Sequence, residues 1–188
     1  MEHIKNYFNQ FVDISDEELL LFTSKLTRMD VPKKSLILKQ GKTENFLSFI
    51  EKGIVRFYVP DLDDGLTFSF SFEHSFFSAY DSFLTQRPCT YNVEAVTDCI
   101  LWRLAYDDLN SIYGTTAIGE RIGRKVAEDL YLKKMKREIS LLNDPAKKRY
   151  LDLMEEAPLL LQHIPLKHLA TYIGIRPQSL SRIRKQIY

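Results

Sequence analysis

Between Leu36 and Leu104 the chain is a succession of short β-branched and aromatic runs, and beyond Asp107 such runs vanish for about fifty residues. That switch of pattern limits the fold more than any other feature. The runs are Leu36-Ile-Leu, Phe46-Leu-Ser-Phe-Ile, Ile54-Val-Arg-Phe-Tyr-Val, Leu66-Thr-Phe-Ser-Phe-Ser-Phe and Cys99-Ile-Leu-Trp-Arg-Leu. Gly41-Lys, Lys52-Gly53, Asp63-Asp-Gly65 and Arg87-Pro88 punctuate them, as turns punctuate strands. Strict alternation from Thr67 to Phe72 places Phe68, Phe70 and Phe72 on one face. Many short strands at regular spacing predict a β-sandwich or barrel rather than a parallel α/β sheet.

Helical signals flank this region. Ser15 followed by Asp16-Glu-Glu is a capped, acidic first turn, predicting a helix over 16–26. Downstream, Leu132, Met135, Ile139 and Leu142 recur at spacings of 3, 4 and 3, with Ile118, Ile122 and Val126 extending an apolar face upstream. This predicts one long helix over 116–142 whose seam pairs with a second copy, packing on its own β-domain being the competing reading. Asn143-Asp-Pro145 ends it and starts the next helix.

The 188 residues are 45% hydrophobic with 7 Gly and 7 Pro, ordinary globular composition. No apolar run approaches the ~18 residues of a membrane span, and the N-terminus lacks the look of a secretory signal, so the expected compartment is the cytoplasm. Cys89 and Cys99 have neither zinc nor redox spacing. The formal net charge of +1 conceals two opposed halves. Residues 1–120 carry 11 Lys and Arg against 18 Asp and Glu, whereas residues 121–188 carry 15 against 7. This asymmetry suggests a basic module for a polyanion joined to an acidic module with another task, the competing reading being solvated charge that is merely uneven along the chain.

The basic part contains Leu166-Lys-His-Leu-Ala-Thr-Tyr-Ile-Gly-Ile-Arg-Pro-Gln-Ser-Leu-Ser-Arg-Ile-Arg-Lys. Leu169 and Ile173 share a helical face, Ala170 is small enough for a second helix to cross closely, and Gly174 can take the left-handed conformation of a turn. Ile175 then plugs that turn. Pro177 suits the first turn of a second helix whose Leu180, Ile183 and Ile187 face inward. The pattern is that of a helix-turn-helix for double-stranded DNA. On its outer face Gln178, Ser181 and Arg182 are the candidate base readers. Lys167, Arg176, Ser179 and Lys185 are the candidate phosphate contacts.

With these motifs in place, the chain resembles the Crp/Fnr family of bacterial transcription regulators nearly end to end. Val31-Pro-Lys-Lys with Lys39-Gln-Gly-Lys, and Phe49-Ile-Glu-Lys-Gly-Ile-Val-Arg-Phe-Tyr, are similar to the family's opening strands and glycine turns, and Ser179-Leu-Ser-Arg182 to the start of its recognition helix. The resemblance implies an α+β fold: an N-terminal jelly roll of the cyclic-nucleotide-binding type, a long dimerisation helix and a C-terminal winged helix-turn-helix. It also implies a homodimer on palindromic promoter DNA, with RNA polymerase as a further partner.

The departures matter as much. Nucleotide-binding members carry Gly-Glu-Leu for the ribose and, eleven residues past that Gly, an Arg-Ser or Arg-Ala pair for the phosphate. Here Ser78-Ala79-Tyr80 and Cys89-Thr90 stand at those places, with Val93-Glu-Ala95 fixing the register. A phosphate desolvated without its guanidinium loses a charge-assisted bond, so Ser78, Ala79, Tyr80, Cys89 and Thr90 form a degenerate effector pocket. Arg87 is a substitute only if it shares the inward face of position 89. The aromatic excess reads mainly as core, with room for an unknown small-molecule effector.

The main competing class is a cupin-like metal-binding or small-molecule-binding protein whose C-terminal helices serve protein interaction. It needs clustered ligands, yet the β-region holds only His74. No enzyme motif and no cofactor or metal set is legible, and His163 and His168 read as solvated or phosphate-touching. Either the wing is reduced or it lies only before the recognition helix, with Leu159-Leu-Leu-Gln-His-Ile as its candidate strand. The resulting division is a sensor domain over 1–115, a dimerisation helix over 116–142 and a DNA-binding domain over 143–188.

Overall fold

The computed structural model describes residues 2–60, 65–115, 117–156, 158 and 163–187, excepting the side chains of Ala117, Ile118 and Glu156. The β-rich region forms β1 (Thr27–Val31), β2 (Leu36–Leu38), β3 (Phe46–Lys52), β4 (Val55–Val59), β5 (Leu66–Ser71), β6 (Phe76–Phe77), β7 (Asn92–Ala95) and β8 (Cys99–Ala105). They pair antiparallel into two four-stranded sheets of order β1-β8-β3-β6 and β2-β7-β4-β5. Ile50, Val55, Phe57, Phe77, Val93 and Leu101 fill the space between the sheets. Because side chains alternate across a strand, Phe49 and Leu104 point outward from the first sheet into a second apolar layer.

That layer is covered by α1 (Glu2–Phe8), α2 (Asp16–Thr23) and α4 (Tyr106–Thr115), which contribute Ile4, Phe8, Phe22, Leu109 and Ile112. Ser15 caps α2 with a reciprocal box to Glu18. The helix stops at Thr23, short of the expected 26, because the Thr23 and Ser24 hydroxyls donate to the Leu19 and Leu21 carbonyls and β1 begins at Thr27.

One expectation fails within β5. Phe57 pairs with Ser69 while Tyr58 pairs with Thr67, so Phe68 is the extra residue of a bulge. The alternation is broken, and Phe68 turns inward against Phe57 and Tyr91 while Phe70 and Phe72 stay outward. The three rings do not share a face.

The second sheet's outer face carries the C-terminal helices. After α3 (Tyr80–Thr85), the helices are α5 (Ala117–Asn143), α6 (Ala146–Glu156), α7 (Leu166–Ile173) and α8 (Pro177–Lys185). The long helix therefore begins and ends within a residue of its expected bounds. Tyr150, Leu153, Leu169, Ala170, Ile173 and Leu180 pack together and against Ile54, Val96, Phe70 and Phe72 of the roll. The suggested wing strand falls mainly on Leu159–Gln162, outside the described residues. Among the described residues no helix is long and apolar enough to cross a membrane.

Gly174 ends α7 at φ +79°, where a side chain is strained, and a Cβ there would stand 3.2 Å from Leu141 Cδ2. Gly174→Ala is expected to destabilise the protein by about 1–2 kcal/mol, lowering the midpoint of thermal unfolding by roughly 2–8 °C. Differential scanning calorimetry checks this.

Candidate nucleic-acid interface and effector pocket

The α7–α8 pair is built as a tight corner. The Gly174 and Ile175 amides donate to the Thr171 and Ala170 carbonyls at 3.0 Å, closing α7. Arg176 is extended and Pro177 opens α8, where its missing amide proton costs nothing. Ala170 and Leu180 are both fully buried, while Ile175, Ile183 and Ile187 pack beside them.

On the opposite side of α8, Gln178, Arg182 and Lys185 are exposed; Arg184 is exposed beside the core-facing stripe, and Ser179 and Ser181 are half-buried. Lys167 is exposed in the first turn of α7 and Arg176 just before α8. The structure thus places Gln178, Ser181, Arg182 and Lys185 on one short helix, with Arg176 and Ser179 at its start and Lys167 in the first turn of α7. Arg184 adds a cation that the sequence reading did not single out.

Three arginines, one buried and two half-buried and also unforeseen, bind this helix pair to the rest of the chain. Arg56 of β4 is 5% exposed, pairs with Glu94 of β7 at 2.9 Å, stacks on Tyr58 and contacts His168 Nδ1 of α7 through Nη1. A guanidinium only donates, so His168 Nδ1 is the acceptor there. This corrects the reading of His168 as solvated or phosphate-touching: it is 9% exposed and sits inside the contact between roll and helices. The Thr67 amide of β5 also donates to Thr171 Oγ1 at 3.2 Å.

Arg137 of α5 donates to the Phe68 carbonyl at 3.1 Å and the Tyr172 carbonyl at 2.8 Å while stacking on the Tyr172 ring. Burial pulls its pKa down from the usual arginine value. Arg149 of α6 donates to the Ile173 carbonyl at 2.8 Å and to the Asp144 carbonyl. The only sequence signal was Arg56 itself, a lone cation in an apolar strand run.

Along α5, Leu132, Ile139 and Leu142 are 66%, 56% and 83% exposed, and Met135 is half-buried. Three large aliphatic side chains therefore stand in water on one helix of this chain. Upstream, Ile122 and Val126 are half-buried and turn toward the roll, so the two apolar stretches of α5 face different surroundings.

Within the roll, Ala79 and Cys89 are buried in the inter-sheet core, Ser78 donates to the Phe46 carbonyl, and Thr90 is exposed. Tyr80 opens α3 and stacks on Phe83 rather than pointing into that core. Phe57, Phe68, Phe77 and Tyr91 occupy the interior, with the Tyr91 hydroxyl donating to Asp81. Burial and the Asp81 carboxylate push the Tyr91 pKa up. Arg87 is exposed and lies outside any strand, so it does not share the inward direction of Cys89. Desolvation raises the Cys89 and Cys99 thiols, keeping them protonated. His74 sits at φ +62° in a turn and stacks on His3. Among the described residues, no group of three or more His, Cys, Asp or Glu is placed to hold a metal.

Residues 28–116 match the cyclic nucleotide-binding domain family. No curated protein is similar enough in sequence to match the chain. Three solved structures share its fold over most of its length. A regulator from Eubacterium rectale assigned to the Crp/Fnr family is 17% identical, with 97% of this chain and 87% of that chain covered and a TM-score of 0.73. CLP of Xanthomonas campestris, described as a c-di-GMP responsive global regulator, is 17% identical, with 92% and 91% covered and a TM-score of 0.70. The catabolite activator protein of Thermus thermophilus is 22% identical, with 94% and 85% covered and a TM-score of 0.58.

Proposed function

From a chain that carries a cyclic nucleotide-binding domain within the fold of the Crp/Fnr regulators, we propose a homodimeric, sequence-specific transcription regulator that does not respond to cyclic AMP. The observation that carries this reading is the basic face of α8, exposed on a helix pair whose other side is anchored to the roll. Residues 1–115 are the sensor domain, 116–142 the dimerisation helix and 143–188 the helix-turn-helix domain. The protein acts in the cytoplasm on double-stranded DNA, with RNA polymerase as a further partner and no catalytic activity.

The mechanism follows from the connections of α5. Its upstream half packs on the roll, Arg137 ties its downstream half to β5 and α7, and Leu132, Met135, Ile139 and Leu142 form the seam with a second copy. Any event in the roll that shifts α5 therefore changes the separation of two α8 helices. Half-sites lie about one helical turn apart, ~34 Å, so a small rotation decides between matching and missing both.

Arg182 reads a guanine, Gln178 and Ser181 contact neighbouring bases, and Lys167, Arg176, Ser179 and Lys185 hold phosphates. Arg182→Ala is expected to relax preference at one base pair of each half-site, a loss of about 1–3 kcal/mol of discrimination. Lys185→Ala weakens all sequences alike and reduces the salt slope by about one. Selection from randomised duplexes checks both. Base preferences unchanged at every position in Arg182→Ala overturn its assignment.

Cyclic nucleotide binding is opposed by two features, the missing charged groups at Ala79 and Cys89 and the aromatic filling of the roll. Isothermal titration of cyclic AMP or cyclic GMP into ~100 μM protein is expected to give no saturable heat, although micromolar affinity is easily detected at that concentration. Saturation with either nucleotide contradicts the reading.

A further inference from the structure

β5 is the edge strand of its sheet, paired with β4 alone among the described strands. At its Phe68 bulge, two neighbouring backbone groups are taken up by the C-terminal helices. The Thr67 amide donates to Thr171 Oγ1 of α7 at 3.2 Å, and the Phe68 carbonyl accepts from Arg137 Nε of α5 at 3.1 Å. In a regular antiparallel strand each residue's amide and carbonyl point to the same side and the next residue's to the other. Only the bulge lets the amide of Thr67 and the carbonyl of Phe68 both reach the helices.

The sequence supports a second register at this place. Phe68, Phe70 and Phe72 alternate strictly, so a ladder without the bulge sets all three rings outward and turns the Phe68 carbonyl toward β4, away from Arg137. The bulged register is held by the Phe68 ring, which packs inside the roll with centroids 6.1 Å from Phe57 and 4.9 Å from Tyr91.

Arg137 carries this choice to α7. Its Nη2 donates to the Tyr172 carbonyl at 2.8 Å, in the last turn of α7, where helix carbonyls lack an internal partner. Its guanidinium also lies 4.0 Å from the Tyr172 ring centroid. The planar fork fixes both bonds together, so losing the Phe68 carbonyl frees the group that closes α7 just before the Gly174 corner. We propose that Phe68 is a positioning residue for α8: its ring inside the roll holds the bulge, and the bulge carbonyl holds Arg137 on the closing turn of α7. Packing inside the sensor thereby sets how firmly the α7–α8 corner is held. The inference rests on the DNA-binding reading only for its consequence at DNA. The coupling itself is read without DNA, so either can fail alone.

Nuclear magnetic resonance on the full chain follows amide exchange at Gly174 and Ile175, which close the corner by donating to the Thr171 and Ala170 carbonyls, against Leu101 of β8 as the reference for global opening. Arg137→Met is expected to speed exchange at both amides about tenfold relative to Leu101, and Phe68→Ala at least ~3-fold. The double variant is expected to exchange no faster than Arg137→Met alone. Phe77→Leu, which loosens the same interior from β6 of the facing sheet, is expected to leave the ratio unchanged. Should Phe68→Ala not fold, the coupling is read in reverse, because it is reciprocal. Arg137→Met is then expected to shift the ring resonances of Tyr91 inside the roll, whereas Arg149→Met, which removes the bond to the Ile173 carbonyl of the same turn, leaves them in place. The proposal is overturned by an unchanged exchange ratio in Phe68→Ala or Arg137→Met, by additive effects of the two, by Phe77→Leu acting as Phe68→Ala does, or by Tyr91 resonances that respond alike to the Arg137 and Arg149 variants.

Discussion

Ile139→Asp is expected to turn the protein from a dimer of 22.0-kDa chains into monomers that remain folded. Ile139 is more than half exposed in the single chain, so the substitution disturbs the protomer by no more than about 0.5 kcal/mol, as at other surface positions. In the proposed dimer the same residue meets its twin between the Met135 and Leu142 layers, and two carboxylates are desolvated there without partners. A penalty of about 3 kcal/mol raises the dissociation constant at least ~100-fold. Sedimentation velocity separates the two readings of the α5 seam. A variant that sediments like the unmutated protein means that the seam lies elsewhere.

The second large effect is at a residue far from DNA. Arg56→Ala removes the cation that joins β4 to β7 through Glu94 and to α7 through His168. Breaking a buried pair leaves its partner uncompensated, which destabilises by about 3 kcal/mol. For a chain of this size the midpoint of thermal unfolding falls by roughly 6–12 °C. Arg56→Lys recovers only part of the loss, because an ammonium cannot reach Glu94 and His168 in one plane or stack on Tyr58. Thermal denaturation followed by circular dichroism reads both variants. An unchanged midpoint in Arg56→Ala contradicts the role given to this contact.

What was legible in the sequence is what local chemistry decides. The β-branched runs gave β2 to β5 and β8, the Ser15 cap gave the start of α2, and the unbroken 3-4-3 spacing gave α5. Gly174 and Pro177 marked the corner between α7 and α8 because a left-handed residue and a first-turn proline are local requirements. The rest was set by partners distant in sequence. β6 has only two residues and exists because Phe76 and Phe77 pair with Phe49 and Ser48 of β3. The Phe68 bulge is invisible to an alternation argument, since the extra residue is accommodated by the register between β4 and β5. Among the candidate site residues on α8, Gln178, Arg182 and Lys185 are exposed on one side because Leu180 and Ile183 face the core, which periodicity foretold. His168 was misread because its partner Arg56 lies 112 residues earlier.

The central claim, that α8 reads DNA in a two-fold dimer, is tested most directly by selecting duplexes from a randomised pool with the unmutated protein and titrating the enriched sequence against salt. The account predicts a two-fold symmetric sequence whose half-sites are about one helical turn apart, with the logarithm of affinity falling linearly with the logarithm of salt. Recovery of no enriched sequence, with no salt-dependent binding to any duplex, would contradict it.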